Sequence, residues 1–280
     1  MSIIQPNMLH KRVDKTSKFM LSKQLFLLDG DGTLYLWDKP LESSTKFIKK
    51  IRELGKDFII LSNNDSESKL NRLKFLRKIL DVDITEDNLL LPNDLVAASF
   101  TRRKVKSFDG LISDEFKDEL VSKGFRYDRH EPDIILIGFD TDLTYKKMKR
   151  IIEHINRGKK FILTHIDPLC PYKGGQEIPD AGLLSYMIER ATKKEPVETL
   201  GKPFKGAIEY LRTRIDLPRD KIVVIGDRLD TDIKMANENA IDSIWLYKDK
   251  SSLRGLNKSR YRPTFYVKNL AELYSKIKDL

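Results

Sequence analysis

The stretch Leu25–Gly32, with the sequence LFLLDGDG, decides the fold of this chain. Four apolar residues run without interruption and end at two aspartates that alternate with glycines. A short apolar run bounded by Asp and Gly is typical of a buried parallel strand that leads into a loop. The stretch therefore predicts a sheet strand that carries Asp29 and Asp31 at its carboxyl end.

The residues that follow extend this strand into a βαβ unit. The amphipathic pattern of residues 43–54 predicts a helix, which Gly55 ends. Residues 58–61 predict a second buried strand that ends in Ser62-Asn63-Asn64, and residues 66–80 predict another helix. Strand, helix, strand and helix in this order indicate an α/β fold with a parallel sheet.

The same alternation returns in the rest of the chain. Near the end, strands are predicted at 222–225, 243–246 and 264–267, and helices at 204–214, 231–239 and 270–277. In the middle, strands are predicted at 134–137 and 161–164, and helices at 95–100, 115–123, 145–156 and 183–190. We interpret the middle as a smaller α/β domain inserted into the larger one.

Four segments are predicted from this pattern. Residues 1–22 form a basic amino-terminal arm, expected to be disordered. Residues 23–91 and 191–280 form a Rossmann-like core, an α/β parallel sheet with helices on both faces. Residues 92–190 form the inserted α/β cap domain.

Composition excludes several classes of protein. The chain has 280 residues, 40% of them hydrophobic and 34% charged, which is typical of a globular protein with a real core. A membrane-spanning helix needs about 20 apolar residues, whereas the aliphatic runs here, such as residues 134–137, are short. The amino terminus lacks the apolar segment of a secretory signal. The single cysteine, Cys170, fits a reducing compartment, so a cytoplasmic location is predicted.

The net charge of +10 leaves two interpretations open. The densest basic stretch, residues 248–262, contains six Lys or Arg and one acidic residue. It lacks an accompanying aromatic RNA-binding signature or zinc-finger spacing, so a solvated basic surface is favoured over a polyanion site. Binding of nucleic acid is thereby disfavoured.

Polar side chains are predicted to converge where three strands end. Asp29 and Asp31 follow the first strand, Ser62 and Asn63 the second, and Asp227 a later one. Ligands of open parallel sheets bind at the carboxyl ends of the strands. Three carboxylates brought together repel one another, and a hard divalent cation such as Mg²⁺ relieves that repulsion.

This set of groups suits phosphoryl transfer. A carboxylate can attack phosphorus to form an acyl phosphate, and a second carboxylate can serve as acid and base. Backbone N–H groups around Gly32 are candidates to cradle phosphoryl oxygens, with Ser62 and Asn63 as further donors. Lys202 would add a fixed positive charge.

Four motifs resemble those of the haloacid dehalogenase-like hydrolases, specifically the subfamily of 4-nitrophenylphosphatase, phosphoglycolate phosphatase and pyridoxal phosphate phosphatase relatives. They are residues 29–34 (DGDGTL), 62–64 (SNN), 201–203 (GKP) and 226–233 (GDRLDTDI). The resemblance covers nearly the whole chain after residue 24. Haloacid dehalogenases lack the second Asp of the first motif, so Asp31 indicates a phosphatase.

The resemblance implies a role for each motif residue. Asp29 would be the nucleophile, Asp31 the acid/base, and Lys202 the residue that steadies nucleophile and phosphate. Phosphate would be bound by Gly32 and by the second motif, Ser62, Asn63 and Asn64. The Mg²⁺ ligands would be drawn from Asp29, Asp31, Asp227 and, as a supporting group, Asp232.

The insert also resembles the α/β cap of this subfamily. The similar segments are residues 132–145 and residues 164–182. In relatives the second segment contributes to substrate specificity, which makes His165 and Asp167 candidate substrate contacts. His165 departs from the common Thr-Asn-x-Asp form, so substrate identity does not transfer. Relatives often pair through the cap, which suggests a homodimer.

Three functions remain as hypotheses. The first is a Mg²⁺-dependent phosphatase of a small phosphorylated metabolite, acting through a phospho-aspartate on Asp29. The second is a polyanion-binding protein or a phosphatase of nucleic-acid ends, motivated by the positive charge. The third is a catalytically silent scaffold, which the complete set of motif residues disfavours.

Overall fold

The computed structural model describes residues 7–280, and it describes their side chains from residue 15 onward except at positions 173 and 250. The chain divides into two compact units. The first unit comprises the residues up to Leu61, Leu76–Leu89 and Ile215–Leu280. The second unit comprises Ser62–Phe75 and Leu90–Arg214.

Helices and strands alternate along the chain. The helices are α1 Asn7–Ser22, α2 Ser44–Glu53, α3 Lys69–Leu80, α4 Pro92–Arg103, α5 Asp114–Ser122, α6 Tyr145–Asn156, α7 Ala181–Thr192, α8 Gly206–Arg212, α9 Lys234–Glu238, α10 Lys250–Lys258 and α11 Leu270–Ser275. The strands are β1 Leu25–Asp29, β2 Tyr35–Leu36, β3 Lys39–Pro40, β4 Asp57–Leu61, β5 Leu89–Leu90, β6 Ser107–Leu111, β7 Arg126–Tyr127, β8 Ile134–Ile137, β9 Phe161–Leu163, β10 Leu169–Tyr172, β11 Gln176–Pro179, β12 Glu198–Thr199, β13 Ile222–Gly226, β14 Asp242–Leu246 and β15 Phe265–Val267.

The first unit is built around a six-stranded sheet of order β15-β14-β13-β1-β4-β5. β1 pairs in parallel with β13 on one side and with β4 on the other, with Leu28 opposite both Ile225 and Ile60. The strands around β1 are continuous apolar runs because both faces of the sheet are covered. Since β1 and β13 run in the same direction, Asp29 and the residues after β13 lie at one edge of the sheet. The predicted α/β class with a parallel sheet is confirmed.

Helix α2 covers this sheet through one apolar face. Phe47, Ile48 and Ile51 are fully buried, and the ring of Phe47 meets that of Phe26 edge-on at 6.5 Å between centroids. Ser43 precedes the helix with φ of 68° and makes no side-chain cap hydrogen bond. The helix is therefore held by packing against β1 rather than by a capping side chain.

The prediction of a disordered amino-terminal arm is wrong for residues 7–22, which form α1; residues 1–6 lie outside the described residues. The carboxyl-terminal half of α1 packs on the first unit. Met20 is buried, the ring of Phe19 lies 4.7 Å from that of Phe265, and the Ser17 hydroxyl donates to the Lys276 carbonyl at 3.0 Å. These contacts order a segment that was predicted to be disordered from its basic composition.

The second unit contains a five-stranded sheet of order β12-β9-β8-β6-β7, in which neighbouring strands all pair in parallel. Helices α6 and α7 pack their apolar residues, among them Ile151, Ile155 and Ile188, against β8 and β9. The unit extends past both ends of the predicted cap at 92–190. After residue 190 it includes β12, which pairs with β9, and α8, which contacts α4. The predicted boundaries themselves stay a prediction.

Strand β6 was not predicted, because two residues that disfavour strands lie inside it. Asp109 is fully buried, and the Arg150 guanidinium binds its carboxylate with Nε at 2.6 Å and Nη2 at 3.0 Å. At Gly110 an added Cβ would lie 2.3 Å from the Leu136 carbonyl oxygen, so the neighbouring strand requires glycine there. The β10–β11 hairpin also escaped prediction, since most of its residues are exposed and lack an apolar pattern.

The stretch of highest positive charge is partly occupied by intramolecular contacts. It contains α10, which Asp249 caps by accepting the Ser252 N–H at 2.8 Å. The Arg262 guanidinium donates to the Leu256 carbonyl at 2.8 Å, and the Arg260 guanidinium stacks 4.8 Å from the Tyr261 ring centroid. Some of the basic side chains in this stretch therefore stabilise the local fold through intramolecular contacts.

Among the described residues, no helix combines the length and apolar character that a bilayer crossing needs. The longest helix, α1, has 16 residues, and its mean hydropathy is negative. A crossing helix would need about 20 predominantly apolar residues.

Candidate active site

Three carboxylates meet at the carboxyl edge of the first sheet. Oxygens of Asp29, Asp227 and Asp232 all lie within 4.8 Å of one another. Asp29 ends β1, Asp227 follows β13, and Asp232 lies in a single π-helical turn, Leu229–Ile233. We call these residues the aspartate group. Three like charges so close together, with Asp29 only 9% and Asp232 only 1% exposed, repel one another and favour a nearby positive charge. An all-carboxylate set of oxygens fits a hard divalent ion.

Two glycines allow the carboxylates to approach so closely. Gly32 has φ of +84°, and an added Cβ there would lie 2.5 Å from Asp227 Oδ2. A Cβ at Gly226 would lie 2.4 Å from Asp232 Cγ. Any side chain at either position would push a carboxylate away. The close approach of these carboxylates thus explains why glycine stands at these positions of the first and fourth motifs.

The loop after β1 is a tight turn held by its own backbone. The Gly30 carbonyl accepts the N–H groups of Thr33 at 3.2 Å and Leu34 at 2.8 Å, and the Gly32 N–H donates to the Tyr35 carbonyl at 2.8 Å. The N–H of Gly32, expected to bind phosphate, is therefore engaged within the loop. Its role toward phosphate stays a prediction.

Asp31 lies outside the aspartate group. Its Oδ2 accepts a hydrogen bond from the Tyr35 hydroxyl at 3.1 Å. The hydroxyl of Tyr35 thus orients this carboxylate, which is the arrangement a proton-transferring group needs. The structure assembles Asp29, Asp227 and Asp232 as candidate metal ligands, and the inclusion of Asp31 among them stays a prediction.

Lys248 was not identified as a site residue from the sequence, which placed it only at the start of the basic stretch 248–262. Its ammonium lies 2.9 Å from Asp227 Oδ2, and its side chain is 68% exposed. A positive charge is therefore already drawn to the aspartate group. Lys248 also lines a cavity of about 360 Å³ in the first unit, together with Gly32, Thr33, Leu36, Leu41 and Leu246 among others.

In the second unit, Asn63 joins three parts of the chain. Its Nδ2 donates to Asp167 Oδ2 at 2.9 Å and to the Lys202 carbonyl at 3.0 Å, and its Oδ1 accepts the Lys202 N–H at 2.8 Å. All three residues are buried. The structure thus brings together the second motif, the third motif and the closing segment of the predicted cap, through an amide expected to bind phosphate.

The other residues of the second motif shape the turn that follows β4. The Ser62 hydroxyl oxygen accepts the Asn64 N–H at 3.1 Å, and Asn64 Oδ1 accepts the Ser66 N–H at 3.1 Å and the Ser66 hydroxyl at 2.7 Å. These are local bonds that fix the backbone. Phosphate binding by Ser62 and Asn64 stays a prediction.

A second buried group surrounds His165, which is 1% exposed. His165 Nε2 lies 3.5 Å from Asp65 Oδ1 and 3.5 Å from Asp180 Oδ1. We call Asp65, His165 and Asp180 the histidine cluster. His165 faces these carboxylates rather than the surface, and its predicted contact with a substrate stays a prediction. Asp65 lies outside the recognised motifs and Asp180 lies in the cap segment 164–182, but neither was identified as a site residue from the sequence.

The carboxylates around His165 control its charge. Burial by itself lowers the pKa of His165, but the interaction with the Asp65 side chain and the charges of Asp180, Asp65 and Asp167 outweigh that effect and raise the pKa to about 9. Burial raises the pKa of Asp180 to about 7, although His165 opposes this shift. The surrounding carboxylates therefore favour a positive charge on the imidazole.

We predict that Asn63→Ala lowers the free energy of unfolding of the chain by about 2–4 kcal/mol, since it removes three buried hydrogen bonds and leaves their partners unsatisfied. Asn71→Ala is the control, because Asn71 donates one exposed bond, to Glu115 at 2.7 Å, and its loss should cost less than about 1 kcal/mol. Urea unfolding followed by circular dichroism measures both. Equal losses in the two variants would show that Asn63 does not tie the segments together.

Two family models match separate parts of the chain. The model described as haloacid dehalogenase-like hydrolase matches residues 26–126, and the one described as HAD-hydrolase-like matches residues 199–273. These ranges contain the first, second, third and fourth motifs. They also contain every member of the aspartate group.

Individual proteins are similar over nearly the whole chain. The 4-nitrophenylphosphatase of Schizosaccharomyces pombe is 25% identical over 91% of this chain and 95% of its own length. The chloroplastic phosphoglycolate phosphatase 1A of Arabidopsis thaliana is 23% identical over 95% of this chain and 80% of its own. The crystal structure of a 4-nitrophenylphosphatase from Thermotoga maritima is 31% identical, covers 92% of this chain and 98% of its own, and superposes with a TM-score of 0.85.

Proposed function

Because this chain belongs to the haloacid dehalogenase-like hydrolases and is a phosphoric monoester hydrolase, we propose that it removes the phosphoryl group from a small metabolite through a phospho-aspartate on Asp29, with Mg²⁺ as its cation. The observation that carries this proposal is the aspartate group, in which three carboxylates approach within 4.8 Å at the end of β1.

Asp29, Asp227 and Asp232 would hold the Mg²⁺ ion. When bound, the ion would neutralise negative charge between the attacking carboxylate and the phosphate. Asp227 and Asp232 are held in place without it, since Trp245 Nε1 donates to the Asp227 carbonyl at 2.8 Å and the Arg228 N–H donates to Asp232 Oδ2 at 3.3 Å. The protein thus prepares the site before the ion binds.

Asp29 would act as the nucleophile and Asp31 as acid and base. An oxygen of Asp29 forms a bond to phosphorus as the bond between phosphorus and the ester oxygen breaks, and Asp31 gives its proton to the departing oxygen. Asp31 then takes a proton from the water that attacks the acyl phosphate, which releases inorganic phosphate and restores Asp29. The Tyr35 hydroxyl, at 3.1 Å, keeps Asp31 in one orientation during both steps.

The remaining parts of the proposal rest on the motif resemblance. Lys202 would steady the phosphoryl group, and Ser62, Asn63 and Asn64 would bind it. Residues 92–190 would act as a cap that selects the leaving group. A cytoplasmic location and pairing of two copies through the cap complete the proposal, supported by the single cysteine and by the family resemblance respectively.

The substrate is proposed to be a small phosphate ester. Relatives are named for 4-nitrophenyl phosphate, phosphoglycolate, 5′-nucleotides, sugar phosphates and glycerol 3-phosphate, which share one phosphate monoester on a small leaving group. Release of inorganic phosphate from such a panel, with and without EDTA, tests the proposal. A 3′-phosphorylated oligonucleotide in the same panel tests the polyanion alternative. Absence of release from every compound in the presence of Mg²⁺ would contradict the proposal.

Lys248 should compete with the cation for Asp227. We predict that Lys248→Met lowers the Mg²⁺ concentration needed for half-maximal activity by about threefold to tenfold, because the ion pair at 2.9 Å is lost but was largely exposed. Lys268→Met is the control, since Lys268 lines the same cavity and is exposed. A Mg²⁺ titration of phosphate release measures this concentration. An unchanged or higher value in Lys248→Met would show that Lys248 does not compete.

A further inference from the structure

We propose that the histidine cluster, Asp65, His165 and Asp180, binds one divalent transition-metal ion, expected to be Zn²⁺. All three residues belong to the second unit, and no member of the aspartate group takes part. The site lies at the base of the β10–β11 hairpin, because His165 precedes β10 and Asp180 follows β11 directly. It goes beyond the proposed phosphatase chemistry, which does not use these residues.

The distances within the cluster fit ligands of one ion better than they fit hydrogen bonds. His165 Nε2 lies 3.5 Å from an oxygen of Asp65 and 3.5 Å from an oxygen of Asp180. A good N–H···O hydrogen bond spans about 2.7–3.2 Å. Two ligands of a tetrahedral ion with bonds of about 2.0–2.2 Å lie about 3.3–3.6 Å apart. Both nitrogen-to-oxygen distances therefore match the separation of two ligands on one zinc ion, and the three ligand atoms all lie within 4.8 Å of one another.

Two enclosed atoms of the cluster make no hydrogen bond within the part of the chain that the structure describes. They are His165 Nε2 and Asp65 Oδ2, on residues that are 1% and 0% exposed. A buried polar atom without a hydrogen bond costs free energy and needs an explanation. Ligation of an ion by His165 Nε2 and by the Asp65 carboxylate would supply one.

The carboxylates are already fixed as ligands would be. The Phe139 N–H donates to Asp65 Oδ1 at 3.1 Å, and the Ala181 N–H donates to Asp180 Oδ1 at 2.6 Å. Within the described residues, His165 is the basic side chain that forms ion pairs with Asp65 and Asp180. One divalent ion at this place would balance the charge of both buried carboxylates.

The opposite side of the imidazole ring also suits a metal ligand. Asp167 Oδ2 lies 3.5 Å from His165 Nδ1, and the Asp167 N–H reaches the same nitrogen at 3.3 Å. A metal-bound histidine usually donates its second ring N–H to a carboxylate or carbonyl. With an ion on Nε2, we expect Nδ1 to carry the ring proton and to donate it to Asp167 Oδ2 in place of the contact from the N–H.

The mixed donor set distinguishes this site from the aspartate group. Mg²⁺ prefers oxygen ligands and retains its waters, whereas imidazole nitrogen suits Zn²⁺ and its neighbours in the first transition row. The bound ion would join both ends of the β10–β11 hairpin to Asp65. Most of the hairpin is exposed, so this tie would stabilise a segment that otherwise packs little.

The test is Zn²⁺ retention by the full chain, measured by elemental analysis after dialysis against Zn²⁺ and then against metal-free buffer with excess Mg²⁺. We expect about one Zn²⁺ per chain in the wild type and none in His165→Asn. His154→Asn is the matched control, because His154 is buried in the same unit and contacts the Arg129 carbonyl at 3.1 Å instead. It should retain the ion. Asp227→Asn should retain it too, which separates this proposal from the proposed function.

Three results would overturn the proposal. They are a wild-type chain that retains no Zn²⁺, equal retention by His165→Asn, and loss of the ion in Asp227→Asn but not in His165→Asn. A second measurement does not depend on the folding of any variant. Co²⁺ added to the wild type in excess Mg²⁺ should produce the intense visible absorption of a four-coordinate ion, and its absence would also overturn the proposal.

Discussion

Asp29→Asn should abolish phosphate release while leaving the chain folded. The amide has nearly the same size and shape as the carboxylate but cannot form the acyl phosphate, so we expect turnover to fall by at least about a thousandfold. The substitution also removes one of three like charges that lie within 4.8 Å of one another. The free energy of unfolding in the absence of metal should therefore stay constant or rise.

Turnover and stability should be measured on the same preparation, the first as phosphate release with Mg²⁺ and the second by thermal unfolding in EDTA. Asp57→Asn is the control, since Asp57 is an exposed aspartate at the start of β4 in the same unit. It should change neither quantity. Turnover of Asp29→Asn near the wild-type value would place the nucleophile elsewhere. If Asp29→Asn lost turnover because it unfolded, the same two measurements would be made on Asp29→Ser.

The strands and helices with a continuous or periodic apolar pattern could be predicted from the sequence. Residues 134–137 and 145–156 form β8 and α6 with the predicted bounds. β8 is buried along its whole length, and α6 buries one face that includes Ile151 and Ile155. In both elements the pattern of burial is written directly into the order of apolar residues.

Elements whose stability comes from distant residues could not be predicted. β6 contains Asp109, and nothing near it in the sequence indicates that Arg150, on α6, will bind its carboxylate. α1 is held by contacts such as that between Phe19 and Phe265, which are separated by most of the chain. The local sequence argues against order in both segments, and tertiary packing overrides it.

The candidate site divides in the same way. The aspartate group could be predicted because its members lie in compact motifs at the ends of strands. Lys248 and the pair Asp65 and Asp180 could not, since each acquires its role only when the fold brings it to Asp227 or to His165. A contact between two single residues that are far apart in the sequence leaves no signal in that sequence.

Arg150→Met should be among the most destabilising single substitutions in the second unit. Arg150 binds the Asp109 carboxylate at two points, and the Asp109 side chain is completely inaccessible within β6. Without the guanidinium, one N–H bond from Gly110 at 2.8 Å remains to a buried negative charge, with His154 Nε2 at 3.8 Å. Removing one partner of a buried ion pair typically costs about 3–5 kcal/mol, and we expect a loss in that range.

Arg126→Met is the matched control, because Arg126 pairs with Asp128 at 3.1 Å in the same unit but is 71% exposed. Its loss should cost at most about 1 kcal/mol. Urea unfolding of both variants, and of the double variant Asp109→Asn with Arg150→Met, separates the two causes of instability. The double variant should recover part of the lost free energy of unfolding, since it buries no charge. If it were as unstable as Arg150→Met alone, the instability would come from lost packing of the arginine stem and not from the buried charge of Asp109.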